Sequence, residues 1–339
     1  MATINKIPDD ILLVAVNIGE FMKMELPKRQ VIIAPWFHQS SLVMIYSDRG
    51  IGKTWFGLSI ALSITTGAPI GNWEVFKTAG VLYIDGEMAA EEMQERIKLL
   101  SATLPPCLAP FKLLSSDLLH QGNYASVNIN SHEWRKKISD VLEAHKEIRV
   151  LILDNLSCLT PGIQENEKES WDFINQWLIE LRFMGIAVCF LHHTGKSGSQ
   201  RGTSGREDAL DIVMKLSTPP GYKATEGAKF IVTFEKSRGV CGDSLLPFAF
   251  GIEETAEGNM AWTTDASINS GNKEIIIALL GTGKSPKEII EKVGCSKQNI
   301  SKHKKWAIEN GYLFDEGESG LCIFTDKGRN KYAHHLSDF

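Results

Sequence analysis

Two hydrophobic patterns divide the chain. Between residues 41 and 252, short runs of consecutive apolar residues alternate with stretches whose apolar positions recur every three or four residues. The runs are Leu42–Tyr46, Gly80–Asp85, Phe111–Leu114, Val150–Asp154, Ile186–Leu191, Ile212–Leu216, Phe230–Phe234 and Phe248–Ile252. Amphipathic stretches follow Lys53 and cover Ala89–Leu100, Ser131–His145 and Ser170–Phe183. Continuous apolar strands separated by helices predict an α/β domain with a largely parallel sheet buried on both faces. Before it, residues 1–40 read as an arm carrying a helix over Asp9–Met24, stopped by Pro27. Residues 253–271 are rich in Gly, Asn, Ser and Thr without periodicity and read as a linker.

From 272 to 339 the pattern changes. Lys273–Leu280, Pro286–Val293 and Lys297–Asn310 are helical, and Gly311–Phe314 and Leu321–Phe324 form a hairpin. Gly294 ends the second helix and Ser296 caps the third. Three helices and a hairpin in that order predict a small winged helix-turn-helix domain. Its third helix carries Lys297, Gln298, Asn299, Lys302 and Lys305, amides and ammoniums suited to base edges and phosphates of duplex DNA.

The chemistry concentrates at the end of the first strand. Ser47-Asp48-Arg49-Gly50-Ile51-Gly52-Lys53-Thr54, with Trp55 after it, lies between a strand and a helix, the context of a phosphate-binding loop. Backbone N–H groups at a helix mouth favour an anion. Lys53 would reach the β- and γ-phosphates of ATP, and Thr54 would hold Mg²⁺. The first loop position is Ser47, where the pattern asks for glycine. A similar string, Ala278–Ser285, follows a helix rather than a strand. Ser285, Pro286 and Glu288 make it a helix start, not a second site.

Asp154 closes an apolar strand, where a carboxylate meets Mg²⁺. Glu87 ends a strand expected to lie beside the phosphate-loop strand and is the candidate orienter of the attacking water, with Asp85 as the fallback. His192 and His193 end another strand and are candidate γ-phosphate sensors; no third ligand at metal spacing accompanies them. The Gly/Ser-rich loop 194–205, with Lys196 and Arg201, suits a single-stranded phosphate backbone. Lys236 and Arg238, two residues apart on a strand, point the same way and are candidate fingers toward a neighbouring subunit's γ-phosphate.

Net charge is −5, so any DNA contact rests on local patches; residues 272–339 carry 11 Lys/Arg against 9 Asp/Glu. Six cysteines are scattered without a C-x-x-C pair and read as reduced. No apolar run approaches membrane length and no signal pattern opens the chain, so a soluble cytoplasmic protein without membrane partners is expected.

The stretches Ser47–Thr54, Leu82–Met88, Leu151–Asn155, Leu191–Lys196, Gln200–Ser204 and Glu207–Ala209 together resemble the RecA-type ATPases of the RepA-like group, the hexameric replicative helicases of plasmids. The resemblance implies a RecA-like core and a homo-hexamer driven by ATP and Mg²⁺. Lys53, Thr54 and Asp154 would then be the Walker residues and Glu87 the catalytic glutamate. The 194–205 loop would face single-stranded DNA in the ring, with Lys236 and Arg238 acting across the subunit boundary. The expected function is an ATP-dependent DNA translocase or helicase in plasmid or mobile-element replication. The appended winged helix is not general in that group. The alternative is a regulatory or recombination-associated ATPase in which ATP controls oligomerisation and the winged helix reads DNA.

Overall fold

The structure, a computed structural model, describes residues 10–162, 169–194, 209–219, 222, 227–265, 267–293, 297–315 and 321–333. Its helices are α1 (Ile18–Phe21), α2 (Lys53–Thr66), α3 (Ala90–Ser101), α4 (Ser116–Gln121), α5 (His132–Ala144), α6 (Leu156–Leu159), α7 (Glu169–Phe183), α8 (Ser267–Gly281), α9 (Pro286–Val293), α10 (Lys297–Glu309) and α11 (Asp326–Tyr332). Its strands are β1 (Val31–Ile33), β2 (Phe37–His38), β3 (Leu42–Ser47), β4 (Gly80–Asp85), β5 (Phe111–Ser115), β6 (Ile148–Asp154), β7 (Ala187–His193), β8 (Ile212–Ser217), β9 (Lys229–Ser237), β10 (Phe248–Glu254), β11 (Met260–Asp265), β12 (Leu313–Asp315) and β13 (Cys322–Phe324).

Among the described residues the main sheet has nine strands in the order β11-β10-β9-β8-β3-β7-β6-β4-β5. From β8 to β5 all neighbours are parallel; β9, β10 and β11 continue the sheet antiparallel. Alternation along each strand divides the core in two. Val43 and Ile45 face one side with Phe56, Ile60 and Ile64 of α2, whereas Leu42, Met44 and Tyr46 face the other with Trp177, Leu178 and Leu181 of α7. Both faces are covered, which is why the parallel strands read as unbroken apolar runs. Phe56 also contacts the rings of Trp73, Phe230, Phe250 and Trp262, so α2 is tied to the antiparallel strands as well.

Several expectations change. Residues 1–30 form a unit of their own. In its described part the expected helix over 9–24 is instead a 3₁₀ turn, Ile11–Leu13, and the single turn of α1. Asp10 and Asn17 each accept a backbone N–H two residues on, at 2.9 Å, and these local bonds interrupt a continuous helix. Residues 31–40 are not arm: Ile33, Trp36 and Phe37 are fully buried in the core of the second unit. The span read as a linker, 253–271, holds edge strand β11, paired with β10 from Ala249↔Asp265 to Glu254↔Met260, and the start of α8. Its short polar and small residues marked a turn, not a break. The strand ending before Glu87 does not flank β3, because β7 and β6 lie between them. Strand order depends on crossovers that local pattern does not encode.

In the C-terminal segment α8, α9 and α10 enclose Ile276, Ile277, Leu280, Ile289, Ile300 and Ala307, with Leu313 and Cys322 of the β12–β13 hairpin completing that core. Gly281 lets Phe324 lie against α8; a Cβ there would stand 2.4 Å from the ring. Ser285 and Glu288 form the expected capping pair, the Ser285 N–H donating to Glu288 Oε2 at 2.9 Å.

Candidate functional site

The C-terminal ends of β3, β7, β6 and β4 open on one cleft, a cavity of about 630 Å³. Arg49, Gly50, Gly52, Lys53, Thr54 and Trp55 form one wall, and Glu87, Asp154, Asn155 and His193 the other. The loop between β3 and α2 turns on two glycines in the left-handed region, Gly50 at φ 79° and Gly52 at φ 111°. Gly52 opens α2, and a Cβ on it would come 2.6 Å from that of Ala228. Ser47, where the motif asks for glycine, does not adopt a positive φ, so the backbone there tolerates a side chain. Its hydroxyl donates to Asp48 O at 2.7 Å and accepts from Lys53 Nζ at 3.1 Å. Ile51 is buried beneath the loop, while Asp48 accepts from the Thr194 hydroxyl after β7.

Lys53 is only 6% exposed. Its ammonium touches Ser47 Oγ, Asp48 O at 3.4 Å and His193 Nδ1 at 3.0 Å, none of them an anion. Burial lowers its pKa to about 8, against the opposing pull of Asp154 and Glu87. A buried cation that among the described residues hydrogen-bonds no carboxylate, at a glycine loop that opens a helix, fits a phosphate group. Asp154 is buried as well, and burial raises its pKa. Tyr83 donates to its Oδ2 at 2.7 Å, and the Thr54 hydroxyl also bonds it. This hydroxyl and carboxylate are the pair that would hold Mg²⁺ beside the phosphates.

Glu87 is exposed at the rim and accepts from Asn155 Nδ2. Asp85, the fallback, is turned away: its carboxylate accepts from Met88 N at 3.1 Å and is buried. Burial and then the charge of Asp154 push its pKa up to about 7. The two histidines part company. His193, opposite Ser47 in the β3–β7 register, lines the cleft; His192 is buried with Nδ1 3.5 Å from Ser157 Oγ. Lys236 and Arg238 lie at the far end of the sheet. There Lys236 pairs with Val213 near the start of β8, and Arg238 N donates to Asp211 O, so neither lines the cleft of its own chain. Lys196 and Arg201 lie outside the described residues, as do the side chains of Gln298 and Asn299. Lys297, Lys302 and Lys305 are exposed on α10, Lys305 3.9 Å from Glu309.

Sequence reasoning missed Asn155 and Tyr83. The one signal for Asn155 was its place after Asp154; Tyr83 sits two residues before Asp85, on the same face of β4. It also missed Arg96 of α3, which stacks over Trp55 at 5.1 Å, and Tyr222; both line the cleft.

The family model of the AAA domain matches residues 8–199, more than half of the chain. The chain belongs to the AAA domain family. The matched span holds the phosphate loop, Glu87, Asp154 and His193, and so most of the cleft lining; Tyr222, Gly227 and Ala228 lie beyond it. ATP with Mg²⁺ is the general ligand of P-loop ATPases of this kind, and the donor set above fits it. No curated protein matches the chain. Among similar solved structures is a KaiC-like protein from the hyperthermophilic archaeon Pyrococcus horikoshii OT3. It is 13% identical with a TM-score of 0.47, over 70% of this chain and 99% of that one.

Proposed function

We propose that this AAA domain protein is an ATP-driven DNA translocase or helicase of the RepA-like type, working as a homo-hexameric ring on single-stranded DNA. The observation that carries the ATPase part is Lys53, a buried ammonium whose hydrogen-bond contacts among the described residues are all uncharged, beside a Thr54–Asp154–Tyr83 cluster. Bound Mg²⁺ supplies charge neutralisation on the phosphate oxygens. Lys53 grips the phosphates, Asp154 and Thr54 present oxygen ligands, and exposed Glu87 orients a water for attack. His193 stands where it senses the group that Lys53 holds. Lys236 and Arg238, remote from their own cleft, serve a neighbour's, while the 194–205 loop with Lys196 and Arg201 follows the single strand. The C-terminal segment acts as a winged helix gripping duplex DNA through α10.

A second reading is supported by the size of that C-terminal segment, which has a core of its own. In it the protein is a regulatory ATPase in which ATP controls oligomerisation. Steady-state ATP turnover with and without single-stranded DNA separates the two. The motor requires a several-fold rise; turnover that stays flat refutes the motor and leaves the regulator. Lys53→Ala abolishes turnover under both.

A further inference from the structure

Asn155 is 2% exposed and lies between Asp154, the end of the strand that would present a ligand to Mg²⁺, and α6. Its Oδ1 accepts from Cys158 N at 3.1 Å, capping α6. That bond decides which end of the amide is oxygen, so Nδ2 faces the cleft with two N–H groups. One donates to Glu87 Oε2; the other meets His193 Nε2 at 3.2 Å. The other ring nitrogen of His193 stands 3.0 Å from Lys53 Nζ. Two side chains, His193 and Asn155, therefore join the lysine that would hold phosphate to the glutamate that would orient water.

The hydrogen count makes this chain responsive. A neutral imidazole has one acceptor nitrogen and one N–H. While the Lys53 ammonium donates to Nδ1, Nε2 carries the proton and opposes the N–H of Asn155. Once a phosphate engages Lys53, the proton is able to sit on Nδ1, and Nε2 accepts from Asn155. The amide is then held at three points, with one N–H on Glu87.

We propose that Asn155 is a positioning residue that reads phosphate engagement of Lys53 through the tautomer of His193 and sets the orientation of Glu87 for water attack. The proposal rests on the ATPase reading above. Asn155 acts through Glu87, whose carboxylate accepts from its amide.

Asn155→Asp is the test, because a carboxylate keeps the cap on Cys158 N and loses both donors. Turnover and KM for ATP are measured on the full chain for wild type, Asn155→Asp, Glu87→Gln and the double variant. The expected result is a kcat at least tenfold lower in Asn155→Asp with KM within threefold of wild type. In the Glu87→Gln background the second substitution then costs no more than twofold, since the group it positions is already gone. Wild-type turnover with kcat unchanged in Asn155→Asp overturns the role of Asn155 and leaves the ATPase reading standing. So does an equal tenfold loss in both backgrounds, which marks a merely structural residue. Absence of wild-type turnover overturns both.

Discussion

Replacing Tyr83 by phenylalanine deletes one oxygen from a fully buried ring that packs against Phe111 at 6.2 Å. The ring, its apolar contacts and the strand are kept. What goes is the bond to Asp154 Oδ2 at 2.7 Å, leaving that buried carboxylate, among the described residues, the Thr54 hydroxyl as side-chain donor. Hydrogen bonds to charged groups contribute about 1.5–3 kcal/mol, and the loss is felt most where the orphaned partner is buried. Burial already raises the Asp154 pKa, and Tyr83 opposes that rise, so the variant pushes it higher still. Urea denaturation of the magnesium-free protein is the assay, with the same slope required of both chains. The expected outcome is a loss of about 1.5–3 kcal/mol near pH 7. In turnover assays the Mg²⁺ concentration for half-maximal rate moves upward. A change under about 0.5 kcal/mol with an unchanged slope refutes the claim that Tyr83 holds this carboxylate.

Three further outcomes follow from the same geometry. Because burial holds Lys53 at about 8 and a triphosphate restores its charge, ATP binding takes up a proton above pH 8, weakening as much as about tenfold per pH unit toward the ordinary lysine range; calorimetry in two buffers of different ionisation enthalpy at pH 9 shows it, and a buffer-independent heat refutes it. Asp85, with its folded pKa raised to about 7 from 3.8, contributes stability fully present below pH 3.8 and lost as pH rises through 7. Asp85→Asn lacks that loss, so its stability advantage over wild type grows across that window and then levels; an advantage independent of pH refutes the assignment. Lys302→Ala with Lys305→Ala weakens duplex binding and lowers the slope of log K against log salt by about 2, as measured by fluorescence anisotropy; an unchanged slope excludes α10 from the phosphates.

Local rules carried much of the site. Strand, glycine loop and helix around Lys53 are adjacent in sequence, so the cradle was legible there; Asp154 stood out as an acid closing an apolar run, and Glu87 as an acid two residues past the end of another. The antiparallel edge strand β11 was not legible, because Met260–Asp265 is polar on one face and short, and only its partner β10 shows that it pairs. Nor was the interrupted N-terminal helix, where Asp10 and Asn17 satisfy the backbone locally against an apolar pattern that favoured continuation.

By itself the sequence determined which residues could form strands, where the chain turns, and that one turn is built for phosphate, since backbone sterics and hydrophobic period act over a few residues. Tertiary structure decided who meets whom. Alternation says that His192 and His193 face opposite sides of β7; only the placement of β7 between β3 and β6 puts His193 on Lys53 and His192 in the core. The same strand order brings Asn155 to Glu87 across 68 residues of chain and sends Lys236 and Arg238 to the far end of the sheet. Such pairings are set by crossovers and by the burial of two faces at once, which no window of sequence contains.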